Sequence, residues 1–486
     1  MARAFEDAAR HANFWEGREL VAYEPVGIPM FAVQLDVVVQ RKKPIPPIEE
    51  FALRAVQDGV TTMEAVSGFL GLEARLAEEG VLNQLQSANL VYQPDDQGIR
   101  SLGLTGRGVE ALGNLAGYAP ERTEILVIFD RMTRLVVGTE DRGLARPAAF
   151  QQRSLRARPP VAPPTARDIS ADDVNVALAK SEGLQRARRK AEAEFQLIGI
   201  KKVVRADRRY KAATLLVFRS RKSGSLDAGV VADGRPSTIH TQAMAELGGL
   251  TYLEIDDASI AAKRGIREAM RLVPGLRDAA VERGADLDTA VRELVDARRR
   301  MRDPDIEHDP GEGVTVTPRD AARRAYEEAG QRLLHWPMRR ALAWEHPLLL
   351  EFGLTAAKRR VIIASPAITD QSAGYDLMRG LEDAASRGVE VTILLPPPIA
   401  AVSRIEGDAR RRLRELASRR PRIVVREVSV GEPALVWDDT WVAGSFPWLA
   451  HEGDPDRSLV AAESIVVHGL ESVDQAAARV LSVPAA

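Results

Sequence analysis

The sequence predicts an α+β multidomain protein, and three observations carry that prediction. The chain has 486 residues, enough for three or four domains with ample core. About the last 140 residues alternate short apolar runs with amphipathic helical stretches, as in an α/β layer with parallel strands. A proline-rich stretch from Arg146 to Arg167, with Pro159-Pro160 and Pro163-Pro164, reads as a linker inside the chain. The expected segments are an N-terminal arm over 1–45, a small helical module with a hairpin over 46–118, an α/β domain over 120–254, a helical region over 255–345 and an α/β domain over 346–486.

Composition bounds the function. Hydrophobic residues make up 45% and charged residues 28%, and the formal net charge is -2. These are globular values, and they argue against a globally basic nucleic-acid binder. The absence of cysteine rules out disulfides, thiolate zinc sites and cysteine nucleophiles. The first twenty residues lack an apolar h-region, and no apolar run is long enough to span a bilayer. The expectation is a cytoplasmic protein with no membrane association, no metal and no cofactor.

From the N-terminus, Phe31, Val33, Leu35, Val37 and Val39 alternate with polar residues, which is strand periodicity. Helices are predicted over Ile48–Gln57, after an N-cap at Thr62, and from Leu72 to about Asn89. Ala65, Phe69 and Leu70 are expected to face inward on the second of these. Leu90–Tyr92 and Ile99–Leu104 flank a turn at Pro94–Gly98, and Leu104-Thr-Gly-Arg-Gly108 starts a closing helix. This succession resembles a winged helix-turn-helix, which implies DNA binding or protein docking. Arg75, Asn83, Gln84, Arg100 and Arg107 are its candidate nucleic-acid contacts. Glu73, Glu78 and Glu79 at the third helix and Asp95 and Asp96 at the turn would repel phosphates, so any DNA binding is expected to be weak and not sequence-specific.

In the middle of the chain, strands are predicted over Phe195–Arg205, Ala212–Arg219 and Leu226–Ala232, with a turn at Lys222–Ser225. His240 is expected on the surface of the helix that follows. A helix is predicted over Leu287–Arg302, and the acidic stretch Asp303–Glu312 reads as a linker.

The C-terminal segment carries the sharpest signal. Val361–Ala364, Val389–Leu395 and Ile423–Val425 are apolar runs suited to buried strands, and Tyr375–Arg387 and Arg404–Ser418 are helical between them. Downstream come Asp438, Gly444-Ser445 and Glu463. This order resembles the second half of a phospholipase D-like domain. In that family one strand carries His-x-Lys and, after four more residues, Asp. The next carries Gly-Ser-x-Asn, and an acidic residue follows. The resemblance implies that Gly431 stands where the nucleophilic histidine would be, Pro433 where the lysine would be and Pro447 where the asparagine would be. None of the seven histidines has lysine two residues on. Losing a nucleophile from a covalent mechanism costs on the order of 10⁶ in rate. The expectation is a degenerate domain with no catalytic residue, retaining Asp438, Ser445 and Glu463 as remnants.

Two other features qualify as sites. Arg410, Arg411 and Arg412 lead the densest basic cluster and are further nucleic-acid candidates. Trp441 and Trp448 crowd the degenerate motif and are interface candidates, because tryptophan is enriched at binding hot spots, although core packing is its commoner use. Pairings of these two resembled modules occur in multi-gene bacterial systems that act on foreign DNA. The resemblance therefore implies a non-catalytic subunit that docks proteins, as a homodimer or in a larger complex, within antiphage defence. The alternative is a nuclease or phosphodiesterase with a non-standard active site.

Overall fold

The computed structural model describes residues 4–73, 75, 78–87, 89–92, 95–96, 99–114, 116–180, 195–262, 284–302, 318–398, 403–430, 432–451 and 459–482. The chain divides into two compact units. One comprises residues 1–29, 144–158 and 210–486, and the other residues 30–143 and 159–209. The units interleave along the chain, because two long strands, Arg18–Pro44 and Phe195–Ser220, each contribute to both.

In the smaller unit, residues 30–44 pair antiparallel with 116–130, from Met30↔Asp130 to Pro44↔Ala116. Phe31, Val33, Leu35, Val37 and Val39 line one face, where Val174 and Leu178 of the helix Ala171–Lys180 cover them. The expected arm is thus no arm, because its alternating apolar residues need a covered sheet face and find one. The strand Val136–Gly138 folds back antiparallel on the end of this pair, with Phe129 opposite Val136.

The segment between these paired strands is a module inserted at the ribbon's tip. Its helices run over Pro47–Gln57, Met63–Leu70 and Gly106–Asn114, and Val91–Tyr92 pairs with Gly103–Leu104. Thr62 caps the second helix by accepting from the Ala65 N–H at 3.2 Å, and Gly71 ends it in the left-handed region at φ 66°. Leu53, Val66, Leu82 and Leu85 are the centre of the module's core. One expectation is corrected here. Ala65 and Phe69 face outward, because the helical phase set by Thr62 turns Val66 and Ser67 inward instead. In the expected third helix, Glu78–Leu82 is a π-helical turn followed by Asn83–Ser87.

Two further expectations change in the larger unit and at its boundary. Phe195–Ser220 is one strand rather than two, since no glycine or proline interrupts residues 200–220. His240 is buried, not on the surface, with Nδ1 2.6 Å from Ser237 Oγ, because its helix packs on the strand Leu226–Ala232. The acidic stretch 303–312 lies outside the described residues.

The C-terminal sheet positions the candidate site. Its seven strands are β1 (Met338–Ala341), β2 (Arg360–Ala364), β3 (Glu390–Leu395), β4 (Ile423–Glu427), β5 (Ala434–Trp437), β6 (Thr440–Gly444) and β7 (Ser464–His468). The spatial order is β1-β7-β6-β5-β2-β3-β4. β2, β3 and β4 are parallel, and the remaining neighbours are antiparallel. Alternate residues go to opposite faces. Ile363, Ile393, Leu435 and Val442 join the main core, while Ile362, Val436, Trp441 and Ile465 meet the helix Leu470–Leu481. The helices α1 (His346–Ala356), α2 (Tyr375–Ser386) and α3 (Ser403–Arg419) supply the other layer. This is a mixed α/β domain, as the alternation of elements predicts. Among the described residues no helix is long and apolar enough to cross a membrane.

Candidate functional site at the carboxyl end of the C-terminal sheet

Ligands of open α/β sheets gather outside the carboxyl ends of the parallel strands. β2 ends at Ala364, which lies opposite Ala434, and Ala434 lies opposite Ala443. Gly444 in turn lies opposite Ser464. Pro433, Gly444-Ser445 and Glu463 therefore meet at this one end. Gly431 lies outside the described residues.

Asp438 is at the other end. It opens the two-residue turn between β5 and β6 with φ 43°. Its carboxylate accepts the backbone N–H groups of Lys358 and Arg359 at 2.8 Å and of Arg360 at 3.2 Å. Asp438 thus pins the start of β2 to the hairpin. Asp439 pairs with Arg359.

The residues that do converge are engaged with each other. Glu463 is 2% exposed and takes a two-point pair from Arg340, Nε at 2.9 Å and Nη2 at 2.8 Å. Arg340 also reaches Glu19 at 3.2 Å. His346 enters from the first residue of α1 and is fully buried. Its Nδ1–H donates to the Ala343 carbonyl at 3.0 Å, so Nε2 accepts from the Ser464 hydroxyl at 2.7 Å. The Phe446 ring stacks on it at 4.2 Å, with Trp448 at 5.5 Å. Burial is the main cause that holds its pKa down at about 4. A neutral ring with both nitrogens occupied and no exposure cannot attack phosphorus. Nothing in the sequence marks His346, which lies 118 positions from Ser464.

Gly444 is required by this packing. A Cβ there would lie 2.2 Å from Ser464 Oγ and 2.7 Å from the Glu463 carbonyl oxygen. The backbone oxygen has nowhere to go. Gly444→Ala is expected to cost about 1–3 kcal/mol of stability. Urea unfolding checks this, and an unchanged midpoint would contradict it.

A cavity of about 130 Å³ adjoins this end, lined by His451, Arg302, Glu351, Asp376 and Ser372 over an apolar wall that includes Leu350 and Leu377. His451 stacks near Phe446 at 5.2 Å, and its Nδ1–H donates to the Trp448 carbonyl at 3.2 Å. Arg302 is claimed by Glu351 at 2.9 Å and Asp376 at 3.4 Å. Arg298 also pairs with Glu351 at 2.9 Å, so these carboxylates and guanidiniums engage each other rather than a phosphoryl group. Among the described residues no group of three histidines or carboxylates is placed to hold a metal ion.

The other candidates divide. Trp448 is 1% exposed and Trp441 6% exposed, so both are core residues rather than interface residues. β6 and the following turn direct their rings into the two core layers on either side of the sheet. Arg410 is buried on α3, Arg411 pairs with Asp408 and Glu415, and Arg412 pairs with Asp370 at 3.0 Å. These pairs lie within the cluster's own domain, and the Arg411 and Arg412 side chains stay partly exposed. In the inserted module, Asn83, Gln84 and Arg107 are exposed, and Arg75 pairs with Glu79 at 3.1 Å. The side chain of Arg100 lies outside the described residues. Ser445 is half-buried.

No protein-family model and no curated protein matches the chain. Among solved structures, it is similar to Nuc from Salmonella typhimurium, a phospholipase D family member, at 17% identity over 27% of this chain and 82% of that one, with a TM-score of 0.21. NucT from Helicobacter pylori is 15% identical over 30% of this chain and 95% of that one, with a TM-score of 0.22. TrmBL2, an archaeal chromatin protein whose structure shows a mode of DNA binding, is 14% identical over 33% of this chain and 60% of that one, with a TM-score of 0.23. Similarity at this level fixes neither a fold family nor an activity.

Proposed function

We propose that the chain is a non-catalytic subunit, in which a degenerate phospholipase D-like domain serves as a scaffold and a winged-helix module docks a protein partner. One observation carries this reading. The end of the sheet where phosphoryl transfer would take place is internally satisfied: Glu463 is bonded to Arg340, and His346 to Ser464 and Ala343. Pro433 and Pro447 supply neither charge nor a backbone N–H there. Two helices, a third helical stretch, a short paired wing and a closing helix support the winged-helix reading of the module. The setting we propose is a bacterial antiphage defence complex, and it rests on the pairing of the two modules, not on any single residue. DNA contact is weak in this reading, because the remaining exposed candidates include few cations.

The test is affinity purification of tagged chain from its native host, with and without nuclease. A stoichiometric protein partner that survives nuclease treatment is the expected result. Recovery of the chain alone, or loss of the partner with the nucleic acid, would overturn the docking role.

A further inference from the structure

The inserted module departs from the rest of the molecule in both charge and surface. Between residues 46 and 115 the sequence has four arginines and no lysine, against ten aspartates and glutamates. The module therefore carries a formal charge of −6, where the whole chain carries -2. Of the sixteen large apolar side chains exposed among the described residues, five are here: Ile48, Phe51, Phe69, Tyr92 and Val109. Singly exposed apolar residues are ordinary, and Phe69 is set apart by the acidic side chains near it.

The second helix shows the combination most clearly. Glu64, Ala65, Gly68 and Phe69 share its outward face, and Phe69 is 58% exposed at its centre. Glu73 follows just past the Gly71 cap and is also exposed. The small Ala65 and Gly68 leave the ring accessible from the side. The β-ribbon that ends at Pro44↔Ala116 holds the module by both of its connections. A large exposed aromatic with an acidic rim is the anchor-and-rim pattern of a protein interface.

We infer that this face, Phe69 with Glu64 and Glu73, binds a basic, partly apolar surface of a partner protein. The inference rests on the docking role proposed above and adds the site and the partner's chemistry. Nucleic acid does not fit, since a surface of net negative charge repels phosphates. An acidic partner is repelled as well. A purely apolar partner would gain nothing from the carboxylates. A cationic surface with an apolar ridge satisfies both the ring and the rim.

The experiment uses the full chain, a labelled amphipathic peptide of lysine and leucine as probe, and a labelled DNA duplex as comparison, followed by fluorescence anisotropy. Two variants are made, Phe69→Ser and the pair Glu64→Lys with Glu73→Lys. All three positions are exposed, and circular dichroism checks that the helices persist. The wild-type chain is expected to bind the peptide, each variant about tenfold more weakly, and the complex to weaken with salt. Equal peptide binding by wild type and both variants would overturn the inference. So would duplex binding that is tighter than peptide binding and lost in Phe69→Ser. A wild-type dimer that both variants dissociate in analytical ultracentrifugation would overturn it too, by making the occupant a second copy. Unchanged capture of the native partner by both variants would sink the site while leaving the broader docking role standing.

Discussion

Glu463→Ala is expected to destabilise the C-terminal domain by about 3 kcal/mol. If Glu463 were a catalytic acid, its removal would cost activity and leave stability nearly unchanged. Here it is buried and holds Arg340 at two points, and Glu19 is a further acceptor for that guanidinium. Removing the carboxylate takes the two-point partner from a mostly buried cation between β1 and β7. Glu463→Asp, shorter by one methylene, should recover part of the loss. Tryptophan fluorescence during urea unfolding reads the effect, because Trp437, Trp441 and Trp448 all lie in this domain. A loss below about 1 kcal/mol would place the pair among weak surface bridges and contradict the structural role.

The second large effect is with pH. Burial is the main cause that lowers the His346 pKa from 6.5 to about 4. His468 also falls to about 4, through burial first and then the positive Arg339 nearby. Each group is depressed in the folded state, so the unfolded chain binds the proton more readily. The stabilisation is complete above pH 6.5 and declines as pH falls towards 4. The neutral His346 ring contributes about 3 kcal/mol over that window. His346→Gln, which keeps a donor and an acceptor, should flatten this acid limb while costing some stability at pH 7. An acid limb as steep as that of the wild type would show that His346 does not titrate where its burial requires.

The sequence was most legible where one physical rule decided the outcome. Apolar runs of strand length placed β2, β3 and β4 to within a residue or two, and the helical amphipathicity between them placed α2 and α3. Thr62 marked a helix start through its side-chain oxygen, as caps do. Residues that depend on tertiary packing were not legible. Phe69 reads as core by type, yet the phase of one short helix turns it outward. Trp441 and Trp448 read either as core or as interface anchors, and the alternation along β6 and the turn after it bury them. Arg410 to Arg412 read as a cationic patch until Asp408, Asp370 and Glu415 are seen beside them. The order Asp438, Gly444-Ser445 and Glu463 was legible as a pattern. The contact of His346 with Ser464 was not legible, because no local spacing links positions so far apart.

The central claim is that this domain has exchanged chemistry for packing. Its most direct test is hydrolysis of bis(p-nitrophenyl) phosphate and of single- and double-stranded DNA by the purified chain in chelator, beside His451→Ala and Ser445→Ala. Both retain some exposure and a nucleophilic atom at the candidate end. No turnover above the no-enzyme blank is expected, and no difference among the three proteins. Metal-independent hydrolysis by the wild type that disappears in either variant would contradict it, and would make the chain a phosphodiesterase with an active site of its own design.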